Sequence, residues 1–300
     1  MDMTQNKCCR HGANLRRRRR RRRKILRSII FSCSIIAVAV FVAVGSSMIR
    51  SGDGRKNRYD VEAGNNTYDN AVIENSKISE KNKIQNNQSM LDDIMNSTQY
   101  PKQLKDLALK NEEALEFVYD YPAEHVKEHT IDLTEEASMD SVPLFVQWDK
   151  RWGYEKYSGN FFAASGCGPT TLSMVVVYLT HNREASPIAV AKYSKEAGYS
   201  VDGSGSSWTL ISEGCRHYGV KAKTVALDES RMKAELDEGH PIVVNVGPGD
   251  FTDTGHFMVI TGYDDEGFSI NDPNSIEKSG KRWLFKNISS QIRAVWSMYV

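Results

Sequence analysis

The pattern of apolar and polar positions divides the N-terminal third of the chain into two contrasting segments. Residues 28–49 contain no charged side chain, and a helix of about 20 mostly apolar residues spans a bilayer. Residues 51–90 contain no Leu, Phe or Trp and eight Asn, so they offer little apolar surface to offset the entropy lost on ordering. The pattern predicts one transmembrane helix at 28–49, followed by a disordered, solvated stalk at 50–90.

Residues 91–140 regain apolar residues at helical spacing, and we expect a helical preamble there. Pro101 suits a helix start, Asn111 suits an N-cap, and Pro122 is expected to end the second of two short helices. Two helical faces are predicted, one of Leu104, Leu107 and Ala108, the other of Leu115, Val118 and Tyr119.

The remaining segment, 141–300, places helical patterns first and strand patterns mostly last, which predicts an α+β domain. Ser186, Ser207 and Asp228 are candidate caps, and the turn formed by Asp265, Glu266 and Gly267 predicts a hairpin. Helices are predicted at 167–179, 188–197, 208–218 and 228–238, and strands at 242–246, 256–263, 268–271, 282–285 and 294–299.

Charge adds an orientation to this pattern. Residues 1–50 hold 13 bases and one acid, a net charge of +12, whereas residues 51–300 hold 26 bases and 37 acids, a net charge of −11. Basic residues flanking a span stay in the cytosol, so residues 1–27 are predicted to be a cytosolic tail and the domain to be extracytoplasmic. A signal peptide cleaved at Gly45, which would release a secreted protein, is the alternative. The acidic body argues against nucleic-acid binding.

Candidate chemistry centres on Cys167, which begins a predicted helix between Gly166 and Gly168. A helix N-terminus lowers a thiol pKa, and the two glycines would leave room for a substrate chain. His256 begins one strand of the hairpin and Asp272 ends the next, so the imidazole and the carboxylate are expected to be neighbours.

Two further readings concern residues near these three. Asn271 is the rival partner for His256, because it would face the opposite side of the strand from Asp272. Cys215 lies inside a predicted helix and is expected to be a core residue. Five cysteines are too few and too scattered for a disulfide framework, and no ligand-type spacing suggests a metal site.

In order along the chain, the motifs resemble the stand-alone relatives of the bacteriocin-processing, double-glycine-leader cysteine peptidases, within the papain-like superfamily. The resemblance covers about residues 100–300 and rests on the segments 142–152, 165–170, 239–244, 255–263 and 271–273. It implies a papain-like fold with Cys167 as nucleophile, His256 as general base and acid, and Asp272 as the orienting third member.

One feature departs from that family. Transporter-linked members place a glutamine six residues before the cysteine as an oxyanion-hole donor, whereas this chain has Phe161 there. The resemblance suggests that Gln147 takes this role instead. No Gly-rich phosphate-binding loop followed by Lys-Ser or Lys-Thr is present, so export-coupled leader removal is not implied.

Together these observations predict a membrane-anchored, extracytoplasmic cysteine peptidase that needs no cofactor and no metal. An amidase or endopeptidase acting on cell-wall peptides would use the same residues, as would a transpeptidase. A non-catalytic surface-binding module of the same fold predicts an inert Cys167. Substrate choice is expected to depend on the loops 198–206 and 247–254, and the sequence leaves the oligomeric state open.

Overall fold

The computed structural model describes residues 66–300, with side chains from residue 80 onward. The predicted cytosolic tail at 1–27, the predicted span at 28–49 and the first part of the predicted stalk lie outside the described residues. Within the described part of the chain, no helix combines the length and apolar character needed to cross a membrane.

The first described element is a long helix, α1, at Asn66–Asn96. Residues 66–90, predicted to be part of a disordered stalk, are helical in the structure. A polar composition opposes burial but does not oppose helix formation, because Lys, Glu and Gln are good helix formers. A solvent-exposed helix is therefore compatible with this composition. The C-terminal end of α1 is anchored because Ile94 is fully buried among the preamble helices, with Met90 and Leu91 packed beside it.

Short helices occupy residues 102–138, where the helical preamble is predicted, and they differ from the expected pattern in its second half. Pro101 precedes α2 and Asn111 accepts a hydrogen bond from the Glu113 amide, as the pattern predicts. Tyr119 is 38% exposed, and Phe117 is buried in its place. Pro122 lies in the first turn of a further helix, where its missing N–H costs nothing, so it does not end one. The helices are α2 (Lys102–Lys110), a 3-10 turn (Glu112–Ala114), α3 (Leu115–Tyr119), α4 (Tyr121–Glu124) and α5 (Thr134–Ser138).

The helices of the following domain surround one almost wholly buried helix, α7. Ser186 and Asp228 cap α8 and α10 by accepting from the amides of Ala189 and Arg231. The helix predicted at 208–218 is instead split in two, because the backbone at Gly214 packs so tightly on Tyr199 that a Cβ would lie 3.0 Å from its ring. The helices are α6 (Phe162–Ser165), α7 (Cys167–Thr180), α8 (Pro187–Glu196), α9 (Thr209–Ser212), a 3-10 turn (Gly214–Tyr218) and α10 (Glu229–Asp237).

An antiparallel six-stranded sheet, in the order β5-β10-β6-β7-β8-β9, forms the second layer and confirms the α+β expectation. The edge strand β5 was not predicted, because its sequence, Lys-Ala-Lys-Thr, contains no run of apolar residues. The strand predicted at 282–285 stops at Trp283, and Phe285 begins a helix. The later elements are β5 (Lys221–Thr224), β6 (Ile242–Val246), β7 (His256–Asp264), β8 (Gly267–Asn271), α11 (Ile276–Ser279), β9 (Arg282–Trp283), α12 (Phe285–Ile288), a 3-10 turn (Ser289–Gln291) and β10 (Ile292–Tyr299). Two hairpins precede them, β1 (Lys156–Tyr157) with β2 (Asn160–Phe161) and β3 (Ser200–Val201) with β4 (Gly205–Ser206).

Helices cover both faces of this sheet. The burial pattern of strand β6 reflects this arrangement. All five of its residues are buried, as expected of a strand covered on both sides. Val243 packs in the core that contains α7, whereas Ile242 and Val244 pack with Met232 of α10. The layering places α7 against β7, an interior strand whose first residue is His256.

Candidate active site

Cys167 is the first residue of α7, and its side chain is partly exposed. The two flanking glycines do not leave the space expected for a substrate chain. A Cβ on Gly166 would lie 2.6 Å from the Phe162 ring, and one on Gly168 would lie 2.5 Å from Ser206 Oγ. Both glycines therefore allow neighbouring elements to pack closely around the thiol and hold it in place.

His256 is the first residue of β7, and its side chain is only 6% exposed. It pairs with Val246 across the sheet. Beside it, Thr171 Oγ1 of α7 donates a 3.1 Å hydrogen bond to the carbonyl oxygen of Phe257. This contact ties the helix that carries the thiol to the strand that carries the imidazole.

Asp272 follows β8, and its carboxylate contacts the imidazole of His256. Its Oδ1 lies 2.6 Å from His256 Nε2 and also accepts from the Asn274 amide at 2.8 Å. The Asp272 side chain is fully buried. Asn271, the rival orienter, instead donates to the carbonyl oxygens of Val142 and Pro143. Asp272 is therefore the residue that contacts His256.

These contacts shift both titrating groups. Burial by itself lowers the pKa of His256, but the charge of Asp272, the hydrogen bond to it and the neighbouring Cys167 raise that pKa to about 10. Burial also raises the pKa of the Cys167 thiol, but hydrogen bonding to His256, its charge and the backbone at Phe257 and Gly168 lower it below the ordinary value. The arrangement favours a thiolate beside an imidazolium.

Gln147, the predicted oxyanion donor, lines the same cleft as Cys167 and His256. Its backbone amide donates to the Pro273 carbonyl at 2.7 Å, and its side-chain Nε2 donates to the Ala163 carbonyl at 2.7 Å. The side-chain Oε1 is buried without a hydrogen-bond partner among the described residues. Phe161 cannot replace it, because its ring is buried in the core of the preamble.

The loop that carries Asp272 is held by the preamble, which sequence reasoning missed. Asn111 Nδ2 donates to the Asn274 carbonyl at 2.9 Å. Glu113 accepts from the Ser275 hydroxyl and from the amides of Ile276 and Glu277, the latter two at 2.7 and 3.1 Å. The sequence marks Asn111 and Glu113 only as the start of a helix, since their partners are more than 160 positions away.

A cleft passes across Cys167 and has two parts. The first groove, about 800 Å³, is lined by both predicted substrate loops and by Trp208, and the second groove, about 500 Å³, by the preamble helix α2, Gln147 and His256. Cys167, Asn160, Ala164, Thr254 and Gly255 line both grooves. The thiol thus lies where the two grooves meet.

Two tryptophans and a second cysteine lie outside both grooves. Trp152 is buried in the core and Trp148 donates to the Asn274 carbonyl, so both pack and neither lines a groove. Cys215 is fully buried, as expected. Among residues 80–300, no three His, Cys, Asp or Glu side chains form a cluster that could hold a metal ion.

The chain is similar to one protein family and to solved structures. The family model described as "Peptidase_C39 like family" matches residues 139–300. One similar solved structure is the peptidase domain of Streptococcus ComA, described as a bifunctional ABC transporter involved in quorum sensing. It is 19% identical over 53% of this chain and 96% of its own, with a TM-score of 0.38. Another is a putative C39-like peptidase from Bacillus anthracis, 17% identical over 53% and 95%, with a TM-score of 0.33. Comparison with curated proteins gives no match.

Proposed function

Because the chain belongs to the Peptidase_C39 like family, we propose that it is a cysteine peptidase in which Cys167, His256 and Asp272 carry out the reaction. The observation that carries the proposal is the buried 2.6 Å contact between His256 Nε2 and Asp272 Oδ1, together with the hydrogen bond between the Cys167 side chain and the same imidazole. A nucleophile, a base and a group that orients the base are what thiol-based acyl transfer requires.

In the proposed reaction the Cys167 thiolate attacks the carbonyl carbon of a peptide bond. The His256 imidazolium then donates its proton to the leaving amine, which departs and leaves a thioester on Cys167. The neutral imidazole next takes a proton from a water molecule that attacks the thioester. Collapse of the resulting intermediate breaks the C–S bond and releases the Cys167 thiolate beside the His256 imidazolium, and the new carboxylic acid loses its proton to solvent. Asp272 orients the imidazole and stabilises the imidazolium.

Gln147 is the proposed donor to the oxyanion that forms in each half of the reaction. Its side-chain nitrogen has two hydrogens, and one is used by the Ala163 carbonyl. The second hydrogen is available for the developing negative charge. The bond to Ala163 and the backbone bond to Pro273 hold the amide at its place in the second groove.

The cleft favours an extended peptide as substrate. Grooves of about 800 and 500 Å³ lead away from Cys167, so a chain could occupy both sides of the scissile bond. A cell-wall peptide could occupy the same cleft. A general peptidase and a cell-wall amidase or endopeptidase would share this mechanism and differ only in their substrate.

We also propose that residues 28–49 anchor the protein in the cell membrane and that the peptidase domain faces away from the cytosol. The uncharged run and the basic residues before it support this topology. External protease added to intact cells should remove the domain while leaving residues 1–27 protected. Protection of both parts would contradict the topology, and release of the intact domain into the medium would indicate cleavage near Gly45.

The test of the enzymatic proposal is digestion of a proteome-derived peptide mixture and of purified cell-wall peptides by the full-length chain. Cleavage products are identified by mass spectrometry. Wild type should cleave one or both substrates, and Cys167→Ala should abolish cleavage. Cys215→Ala is the matched control and should retain it, because Cys215 lines neither groove.

Two outcomes would contradict the proposal. Equal cleavage by wild type and Cys167→Ala would indicate a contaminating enzyme. Absence of cleavage in both substrates would favour the non-catalytic surface-binding module, especially if Cys167 also reacts no faster than an ordinary thiol.

A further inference from the structure

The two grooves beside Cys167 differ in charge. Acidic and basic side chains both line the second groove, among them Asp106, Lys110, Asp250 and Lys278. Arg293 is the one ionised side chain besides Cys167 on the lining of the first groove, and no acidic residue lines it. Asp202, next in sequence to the lining residue Gly203, is not part of that lining. The lining of the first groove therefore carries one basic side chain and no acidic one.

A β-bulge aims Arg293 into this groove. In the pairing of β10 with β6, Ile292 pairs with Val246 and Ala294 pairs with Asn245, so Arg293 is the extra residue between them. Bulges of this kind redirect a side chain and are enriched beside active sites. Both partners on β6, Asn245 and Val246, line the first groove.

The neighbouring glycine makes room for the guanidinium. A Cβ on Gly247 would lie 2.5 Å from Arg293 Nε, 2.9 Å from Nη2 and 3.1 Å from Cζ. Any larger residue at this position would push the guanidinium away. Gly247 is itself held by a 2.8 Å bond from its amide to the Gln291 carbonyl. The guanidinium therefore packs directly against the backbone at Gly247.

Arg293 is also without a partner among residues 80–300, where it makes neither an ion pair nor a side-chain hydrogen bond. Two other arginines of the domain are paired: Arg151 with Asp149 and Glu136, and Arg282 with Asp264. A guanidinium offers donors in a planar fork that fits a carboxylate with two parallel hydrogen bonds. The donors of Arg293 are free to make such a contact.

We propose that the first groove binds a carboxylate of the peptide substrate on Arg293, so that the enzyme prefers peptides with an acidic group on one side of the scissile bond. This inference rests on the proposed function. Trp208, 47% exposed on the same groove and supported edge-to-face by Trp296, supplies an apolar surface for the substrate segment that carries the carboxylate. The carboxylate is either a Glu or Asp side chain or a free C-terminus.

The test profiles cleavage sites of the full-length chain in a proteome-derived peptide mixture. Wild type should enrich Asp and Glu, or the peptide C-terminus, at one fixed position relative to the cleaved bond. Arg293→Gln should lower kcat/KM for these peptides about tenfold, the typical effect of removing one charge-assisted pair. Arg293→Glu should shift the preference toward Lys and Arg at that position.

Arg216→Gln is the matched control, because Arg216 is exposed, lies outside both grooves and should leave the profile unchanged. The best-cleaved peptide is then synthesised with Glu or Gln at the preferred position, and with a free or amidated C-terminus. Loss of cleavage on Glu to Gln replacement identifies a side chain, and loss on amidation identifies the terminal carboxylate.

The outcomes separate this inference from the proposed function. Cleavage without an acidic preference, or with a preference that Arg293→Gln leaves intact, overturns the inference and leaves the peptidase proposal standing. Absence of cleavage by wild type overturns the peptidase proposal and the inference with it. An unchanged rate of Cys167 alkylation in Arg293→Gln confirms that the variant retains its folded site.

Discussion

Cys167 and Cys215 adjoin the same hydrophobic core, yet the pKa values of their thiols are shifted in opposite directions. Cys215 is fully buried within that core, and burial raises its pKa to about 11 despite the opposing charge of Arg216. Cys167 packs against the same core, but His256 lowers its pKa. Burial makes a thiol unreactive, and a buried imidazole with its own carboxylate partner reverses the effect.

Among the variants considered, His256→Ala should reduce the difference in reactivity between Cys167 and Cys215 the most. Without the imidazole, the hydrogen bond and positive charge that lower the Cys167 pKa are lost. An ordinary thiol of pKa ~8.5 is about 1% thiolate at about pH 6.5, so alkylation of Cys167 by iodoacetamide at that pH should slow by up to about a hundredfold. The labelled residue is identified by mass spectrometry.

The internal control for this variant is Cys215, whose slow labelling should not change. Equal labelling rates of Cys167 in wild type and His256→Ala would mean that the imidazole does not activate the thiol.

A smaller effect is expected from Asp272→Asn. The variant keeps the shape of the side chain but removes the negative charge that does most to raise the His256 pKa. With a weaker base, the imidazolium and thiolate are less stable, and Cys167 alkylation below neutral pH should slow about tenfold, as for the loss of one close charge partner. Peptide cleavage should fall at least as much.

Asp264→Asn is the control for Asp272→Asn, because Asp264 is an exposed residue paired with Arg282. A normal alkylation rate in Asp272→Asn would argue that Asp272 has only a structural role. In that case the variant should differ from wild type in thermal stability alone.

The smallest expected effect tests the preamble. Glu113→Gln removes the negative charge that accepts from the amides of Ile276 and Glu277 and so loosens the loop after Asp272. Loss of one charge-assisted contact at this distance should slow Cys167 alkylation about twofold, with Cys215 unaffected. Glu112→Gln, one position away and bonded to Asn87 instead, should have no effect. Identical rates in the two variants would show that the preamble does not position Asp272.

Local sequence signals predicted much of the fold and the pairing of residues at the site. Ser186 and Asp228 cap their helices as expected, since a cap involves only neighbouring residues. The hairpin placed Asp272 near His256 because strand alternation allows one of two adjacent residues to face it. Asn271 remained a rival until the contact itself was known.

What could not be predicted depends on contacts distant in sequence. The split at Gly214 follows from the approach of Tyr199, and the close packing around Gly166 and Gly168 follows from Phe162 and Ser206. The helix over 66–90 was missed because a composition that opposes burial does not oppose helix formation. The hydrogen bonds between Glu113 and the loop after Asp272 could not be predicted, because no pattern near Glu113 in the sequence indicates them.

The most direct test of the account is the pH dependence of iodoacetamide labelling at Cys167 and Cys215 of the full-length wild-type chain. Cys167 should label rapidly below neutral pH, with a midpoint below that of an ordinary thiol, because His256 stays protonated up to about pH 10. Cys215 should remain slow until the pH approaches about 11. A Cys167 profile with the midpoint and rate of an ordinary thiol would contradict the account.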